Sequence, residues 1–387
     1  MINSIPDKTS APHRGYIEGY YGRLLTWDER GQILETLARL GMNTYLYAPK
    51  EDPCHRRNWR QPWDRTWQEE FSRFAAGAET LGLHLMAGIA PGLDFDFGSF
   101  TGSGDDLIVL CRKARMLKDL GAASIMLLMD DIDAGFPGRS GHFRKEGEAH
   151  AALANALSES LGEAVSLTPR IYADEILDKA EGYLEEMIST LDPLHLITWC
   201  GTYIVDPEPG LEHTGLGRLG TAPERVIWWD NLYAHDYCPR QLWLGPWRGR
   251  GEIRQILLNP TGLPHTDMLL LALMERGPDQ AGWTRALQDH GVPEAFLKVA
   301  PFFDLPPDPR APLPGTMLDL RLIPTWLEAL DELLWRWKTP LAREWYPFLM
   351  ALRGDLLRLD GRMDELRVRK TYPPALNALT GKPERPA

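Results

Sequence analysis

Ser124-Ile125-Met126-Leu127-Leu128-Met129 runs without a break into Asp130-Asp131-Ile132-Asp133. A short, uninterrupted apolar run of this kind suits a strand buried on both faces, the condition of a parallel sheet. Working outward, similar runs recur at Gly15 to Tyr21, Thr44 to Ala48, His84 to Ile89, Val165 to Thr168, Leu196 to Trp199, Arg225 to Trp229 and Gln255 to Leu258. Between them lie stretches with helical spacing of apolar residues, near Asp64 to Leu81, Asp105 to Leu120, Gly147 to Leu161 and Asp174 to Leu191. Thr26-Trp27-Asp28-Glu29 offers a capping box before Ile33, Leu34, Leu37 and Leu40, and Gly41 stops that helix. Eight strand and helix pairs in about 250 residues predict a (β/α)8 TIM barrel. A doubly wound open sheet is the rival, but its glycine fingerprint is missing after the first strand.

From Pro301 to Pro314 the composition turns Pro-rich, which marks a linker before a C-terminal α-helical domain. The predicted organisation is a flexible tail over 1–12, a barrel over 13–300, a linker over 301–314, helices over 315–370 and a loose end over 371–387. Within the helical part, Leu318 to Trp337 and Leu341 to Val368 carry long amphipathic periodicity. Their apolar faces could pack within one chain or between two, so a homodimer stays open.

The 387 residues hold 44% hydrophobic and 25% charged residues, ordinary globular values. Lys and Arg total 42 against 54 Asp and Glu, a formal charge of -12 that repels phosphate backbones and anionic lipid. Nucleic acid is therefore not expected as a partner. Apolar runs such as Met268 to Met274 are far shorter than the roughly 20 residues of a membrane span. Met1 to Pro12 lacks an apolar signal core, and Cys54, Cys111, Cys200 and Cys238 show neither CxxC pairs nor zinc-type spacing. A cytoplasmic protein with free thiols is the expectation.

In a barrel, catalytic groups gather at the carboxyl ends of the strands. Here the runs end in Glu18-Gly19-Tyr20-Tyr21-Gly22, Pro49-Lys50-Glu51-Asp52, Pro91-Gly92-Leu93-Asp94, Asp130-Asp131-Ile132-Asp133, Arg170-Ile171-Tyr172, Trp199-Cys200-Gly201, Asp230-Asn231 and Asn259-Pro260. Asp130 and Asp131 are the sharpest signal, because two carboxylates directly after a buried strand are costly unless both have a task. Their repulsion should raise at least one pKa toward neutrality, as a general acid requires. Helix capping and divalent-ion binding are the plainer alternatives. Lys50 could bind a ligand or merely pair with Glu51 or Asp52. Asp230, Asn231 and Asp236 lie beside Trp228-Trp229, a mixture suited to sugar hydroxyls, although helix capping explains one of them. The histidines show no metal-like spacing.

The segments Arg14 to Gly22, Asn43 to Asp52 with His55-Arg56 and Trp59-Arg60, Ala90 to Asp94, Leu128 to Asp133, Trp229-Asp230-Asn231 with Asp236-Tyr237, and Leu258-Asn259-Pro260 together resemble glycoside hydrolase family 84. That family contains the β-N-acetylglucosaminidases that remove O-linked GlcNAc from proteins. The resemblance implies an enzyme acting on terminal β-linked GlcNAc of a glycoprotein or glycan. It implies retaining hydrolysis in which the substrate's own 2-acetamido oxygen attacks the anomeric carbon, giving an oxazoline. Such substrate assistance departs from the usual two-carboxylate scheme.

By position in the motifs, Asp130 would orient the acetamido N–H, and Asp131 would serve as acid and then base. Tyr172 and Asn231 would bind the acetamido group, with Trp199 and Trp229 walling its pocket. Asp236, Lys50, Asn259 and the backbone of Gly15 would hold the sugar hydroxyls. No metal or organic cofactor is implied. Tyr20 in place of Phe, Glu51 in place of Asp and Met129 in place of an aromatic residue depart from the pattern without removing a catalytic group. The rivals are a non-catalytic GlcNAc-binding barrel and a metal-dependent barrel hydrolase using Asp130, Asp131 and Asp133.

Overall fold

The computed structural model describes residues 11–276, 279–308, 310 and 318–362. The strands are β1 (Arg14–Glu18), β2 (Thr44–Tyr47), β3 (His84–Ile89), β4 (Ser124–Leu128), β5 (Ser166–Thr168), β6 (Leu196–Trp199), β7 (Val226–Asp230) and β8 (Ile256–Leu258). They close in sequence order into one barrel, β8 pairing with β1, and every pairing is parallel. Ile125, Met126, Leu127 and Leu128 are wholly buried, as a strand with core on one side and helices on the other requires.

Four of the five helical stretches read between the strands are continuous helices. Trp27–Arg39 opens with the capping box, Glu29 donating its backbone N–H to Thr26 Oγ1 at 3.2 Å and Thr26 N–H returning a bond to the Glu29 carboxylate at 2.8 Å. Helices Arg65–Thr80, Asp106–Asp119 and Glu146–Leu161 follow β2, β3 and β4. The stretch expected as one helix from Asp174 to Leu191 is broken into a 3₁₀ turn, Asp174–Lys179, and a helix, Tyr183–Thr190. Gly182, at φ 75°, supplies a left-handed residue at the break that the apolar spacing does not announce. Strand β1 ends at Glu18 rather than Tyr21.

Buried ion pairs set the loops at the carboxyl end. Glu18, fully buried, receives two bonds from Arg30, at 2.8 and 2.7 Å, and one from the Tyr45 hydroxyl at 2.7 Å. The long segment between β7 and β8 is pinned by Arg250, which donates to both oxygens of Asp230 at 2.9 and 3.0 Å and to the carbonyl of Asp206. Trp247 Nε1 adds a bond to Asp230 at 3.0 Å.

The last helices, Ile323–Trp335 and Pro340–Leu359, pack against each other and onto the barrel. Glu344 accepts from the backbone N–H groups of His265 and Thr266, at 3.0 and 2.7 Å, capping the helix Pro264–Arg276 that follows β8. A carboxylate there satisfies orphan donors and complements the helix dipole. The Pro-rich segment, expected as a linker, lies on the barrel mouth over its described residues. Leu244 donates to the carbonyl of Phe303 at 2.7 Å and Gln241 to that of Phe302 at 2.9 Å. Residues 1–10 of the tail expected over 1–12, residues 309 and 311–314 of the expected linker, the helical periodicity beyond 362 and the expected loose end over 371–387 lie outside the described residues.

Arg250→Met should leave Asp230 buried and unpaired, lowering stability by about 3–5 kcal/mol in urea unfolding. An unchanged midpoint and slope would show that the pair does not hold this loop.

Candidate active site

A cavity of about 760 Å³ opens at the carboxyl end of the barrel. That volume lies in the range of small-molecule sites. The ends of all strands except β3 reach it: Gly19, Lys50, Asp130 and Asp131, Thr168, Thr198 and Trp199, Trp229 with Asn231, and Asn259 line the wall. The β3 end is otherwise engaged, since Asp94 accepts from Trp59 Nε1 at 2.8 Å and from Arg60 at 2.6 Å.

The two aspartates are held very differently. Asp130 is buried, its Oδ2 paired with the Lys50 ammonium, whereas its Oδ1 is buried without a partner. Asp131 projects into the open part of the cavity and has φ 53°, the single non-glycine positive φ among the described residues. Tyr172 donates to its Oδ1 at 2.7 Å and Tyr21 to its Oδ2 at 2.9 Å. Arg56 bonds the Tyr21 hydroxyl and the Asp131 carbonyl, both at 2.6 Å.

These contacts decide the ionisation. Desolvation opposes charge on Asp131, but Lys50, the two phenols and Arg56 together outweigh it and hold its pKa below the ordinary carboxylate value. Adjacency in the chain predicts that repulsion between the carboxylates raises at least one of them. Asp131 departs from that expectation because the surrounding cations and donors come from distant parts of the sequence. The phenols shift the opposite way: burial and the Asp131 charge push Tyr21 and Tyr172 well up, so both remain protonated donors.

The rest of the wall mixes amides, hydroxyls and rings with the carboxylates of Glu175 and Asp236. Asn231 Oδ1 accepts from Trp229 Nε1 at 3.1 Å and from Asn259 Nδ2 at 2.9 Å, and Asn259 Oδ1 accepts from Gly19 N–H at 3.2 Å. Asp236 accepts from the backbone N–H of Tyr21 at 3.0 Å. Trp199 is fully buried, and its Nε1 has no partner. Tyr203, Tyr237, Trp243, Pro306 and Pro307 extend the wall with ring surface suited to the faces of a sugar and its apolar surroundings.

Of the residues expected at the site, Lys50, Asp130, Asp131, Tyr172, Trp199, Trp229, Asn231, Asp236 and Asn259 line this cavity, and Gly15 does not. Gly15 lies within β1, between Thr44 and Leu257, where an added Cβ would sit 1.8 Å from the Thr44 carbonyl oxygen. It is a glycine for strand packing. Gly19 is the one whose backbone meets the cavity, and a Cβ there would collide with the Trp229 ring at 2.4 Å. Asp230 is likewise withdrawn from the polar cluster by Arg250. Tyr21, Arg56 and the Thr168–Thr198 hydroxyl pair, bonded at 2.7 Å, were not singled out from the sequence. Tyr21 and Arg56 stand in the motifs quoted above, but nothing local links them to Asp131.

Asp133 does not join the pair in a cation site. Its side chain bonds the Gly135 N–H and lies near Arg139, and no group of three His, Cys, Asp or Glu among the described residues is placed to share an ion.

An eight-stranded parallel barrel whose carboxyl-end cavity joins paired acids to aromatic walls has the build of a glycoside hydrolase. Residues 14–272 match the family described as beta-N-acetylglucosaminidase, and the chain belongs to that family. It is 28% identical over 258 residues to two proteins named Protein O-GlcNAcase, from Rattus norvegicus and Mus musculus. The match takes in 64% of this chain and 28% of each relative, so the chain spans little more than a quarter of their length.

Tyr172→Phe should raise the pKa of Asp131, since the lost phenol bonds the ionised form and its removal favours the protonated one. Carboxyl carbon NMR titration would read the shift, and an unmoved Asp131 would show that Tyr172 does not stabilise it.

Proposed function

We propose that this protein is a retaining, exo-acting β-N-acetylglucosaminidase that removes terminal β-linked GlcNAc by substrate-assisted catalysis. The observation that carries the reading is the unpartnered, buried Oδ1 of Asp130 in the same wall as Asp131. A buried acceptor left without a donor is costly, and an acetamido N–H supplies the donor it lacks.

In the proposed first step the acetamido oxygen forms its bond to the anomeric carbon as the bond to the aglycone oxygen breaks. Asp131 gives its proton to that oxygen, and Asp130 balances the positive charge growing on the acetamido nitrogen. In the second step Asp131 takes a proton from water, whose oxygen bonds the anomeric carbon while the oxazoline ring opens. Two inversions give net retention. Tyr172 and Asn231 would hold the acetamido group between Trp199 and Trp229. Lys50, Asp236, Asn259 and the backbone of Gly19 would take the hydroxyls.

This assignment also accounts for an acid whose pKa is held low by its protein partners. The Tyr172 hydroxyl has one proton, and it cannot serve Asp131 Oδ1 and the acetamido oxygen together. Substrate binding would therefore remove a donor from Asp131 and raise its pKa when a proton is needed. The relatives' name, Protein O-GlcNAcase, supports a GlcNAc-bearing protein as substrate. No helix among the described residues is long and apolar enough to cross a membrane. Free Cys54, Cys111, Cys200 and Cys238 support a cytoplasmic setting.

Asp131→Asn should slow aryl β-GlcNAc hydrolysis by roughly 10²–10⁴-fold with poor leaving groups and far less with activated ones. Asp130→Asn should slow both. In the wild type, the alkaline limb of kcat should lie at higher pH than that of kcat/KM. Inert wild-type protein that still binds GlcNAc would favour the non-catalytic reading.

A further inference from the structure

The geometry points to Tyr21 and Arg56 as positioning residues that anchor Asp131 through Oδ2 and its backbone, leaving Oδ1 as the oxygen that carries and transfers the catalytic proton. This rests on the reading of Asp131 as acid and base given above.

The available protons separate the two oxygens. Arg56 can only donate, and its Nη1 donates to the Tyr21 hydroxyl at 2.6 Å. The hydroxyl's own proton is thereby turned to Asp131 Oδ2, 2.9 Å away. A proton placed on Oδ2 would face that phenolic O–H head-on and break the chain. Oδ1 has no such constraint once Tyr172 lets go of it, because Tyr172 is its other partner. The two carboxyl oxygens thus have different tasks, one fixed by the protein and one released to the leaving group.

A second contact gives the anchor its stiffness. Arg56 is buried at 8% exposure and also bonds the Asp131 carbonyl, next to the left-handed φ of that residue. Non-glycine residues in this region are strained and persist only when their surroundings hold them. Arg56 lies within the loop that follows β2, and Tyr21 in the loop that follows β1, so two separate loops fix one carboxylate. Tyr21 is itself tied at its N–H to Asp236, which is assigned to the sugar hydroxyls.

The charged and titratable groups facing Asp131 are Tyr21 after β1, Lys50 and Arg56 after β2, Asp130 beside it, Tyr172 after β5 and Cys200 after β6, with the Glu175 and Asp236 carboxylates in the same cavity wall. Among them Tyr21 is the one whose hydroxyl can be deleted without changing charge or touching the acetamido pocket.

The test compares wild type, Tyr21→Phe and Arg56→Gln on aryl β-GlcNAc substrates graded by leaving group, with the pH profile of kcat/KM and the Asp131 titration followed by carboxyl NMR. Loss of a donor to the ionised form should move the alkaline limb and the Asp131 titration upward in Tyr21→Phe. Its rate should fall roughly tenfold with poor leaving groups and little with activated ones. Arg56→Gln should show the same leaving-group dependence. Wild-type pH profiles, titration and leaving-group slope in Tyr21→Phe would overturn the inference, even if Asp131→Asn behaves as a lost acid. If Asp131→Asn shows no leaving-group dependence, the acid assignment itself fails, and the NMR titration still reports whether Tyr21 bonds Asp131. Should Tyr21→Phe not fold, the same measurements on Arg56→Gln decide between the two outcomes.

Discussion

Two carboxylates leave the end of one buried strand at consecutive positions, and the side-chain donors that hold them come from elsewhere in the chain. Desolvation works against the charge on Asp131. The barrel answers by bringing donors to them from other strand ends: Lys50, 80 residues away, to Asp130, and Tyr21, Arg56 and Tyr172 to Asp131. These partners approach only because the parallel barrel closes, so the site is a product of the fold and cannot exist on the β4 loop alone. The buried pair Glu18–Arg30 has the supporting role of fixing the end of β1, from which the Tyr21 loop leaves, and Asp230–Arg250 pins the segment that carries Asn231 and Asp236.

The barrel was largely legible because its strands are short apolar runs with polar residues at their carboxyl ends. The bounds read for His84–Ile89 and Leu196–Trp199 coincide with β3 and β6. Most of the cavity wall followed from the same rule, since a strand end in a barrel is a location as well as a boundary. What failed was what depends on register. Gly15 and Gly19 stand in one motif, and only the pairing of β1 with Thr44 and Leu257 shows that the first is inside the strand and the second beyond it. Asp230 and Asn231 are neighbours, yet Arg250, 20 residues on, claims the first and leaves the second to the cavity.

Ionisation was the least readable property. Adjacent acids suggest repulsion, and repulsion suggests a raised pKa, but the sign at Asp131 is set by groups far away in sequence. Tyr21 is an aromatic residue at a loop, Arg56 one of several arginines, and neither spacing nor composition marks them as neighbours of an acid. Charge balance at a site of this kind belongs to the tertiary structure, even where the acids themselves are plain in the sequence.

Pro306 and Pro307 form part of the cavity wall although they follow the last helix of the barrel, and the carbonyls of Phe302 and Phe303 hold the long loop between β7 and β8. Over residues 301–308 the Pro-rich stretch is therefore part of the masonry of the site. A fragment trimmed to the eight strands and the helices between them would retain both acids but lose Pro306 and Pro307 from the chamber around them, and the loop bearing Asn231 and Asp236 would lose its backing.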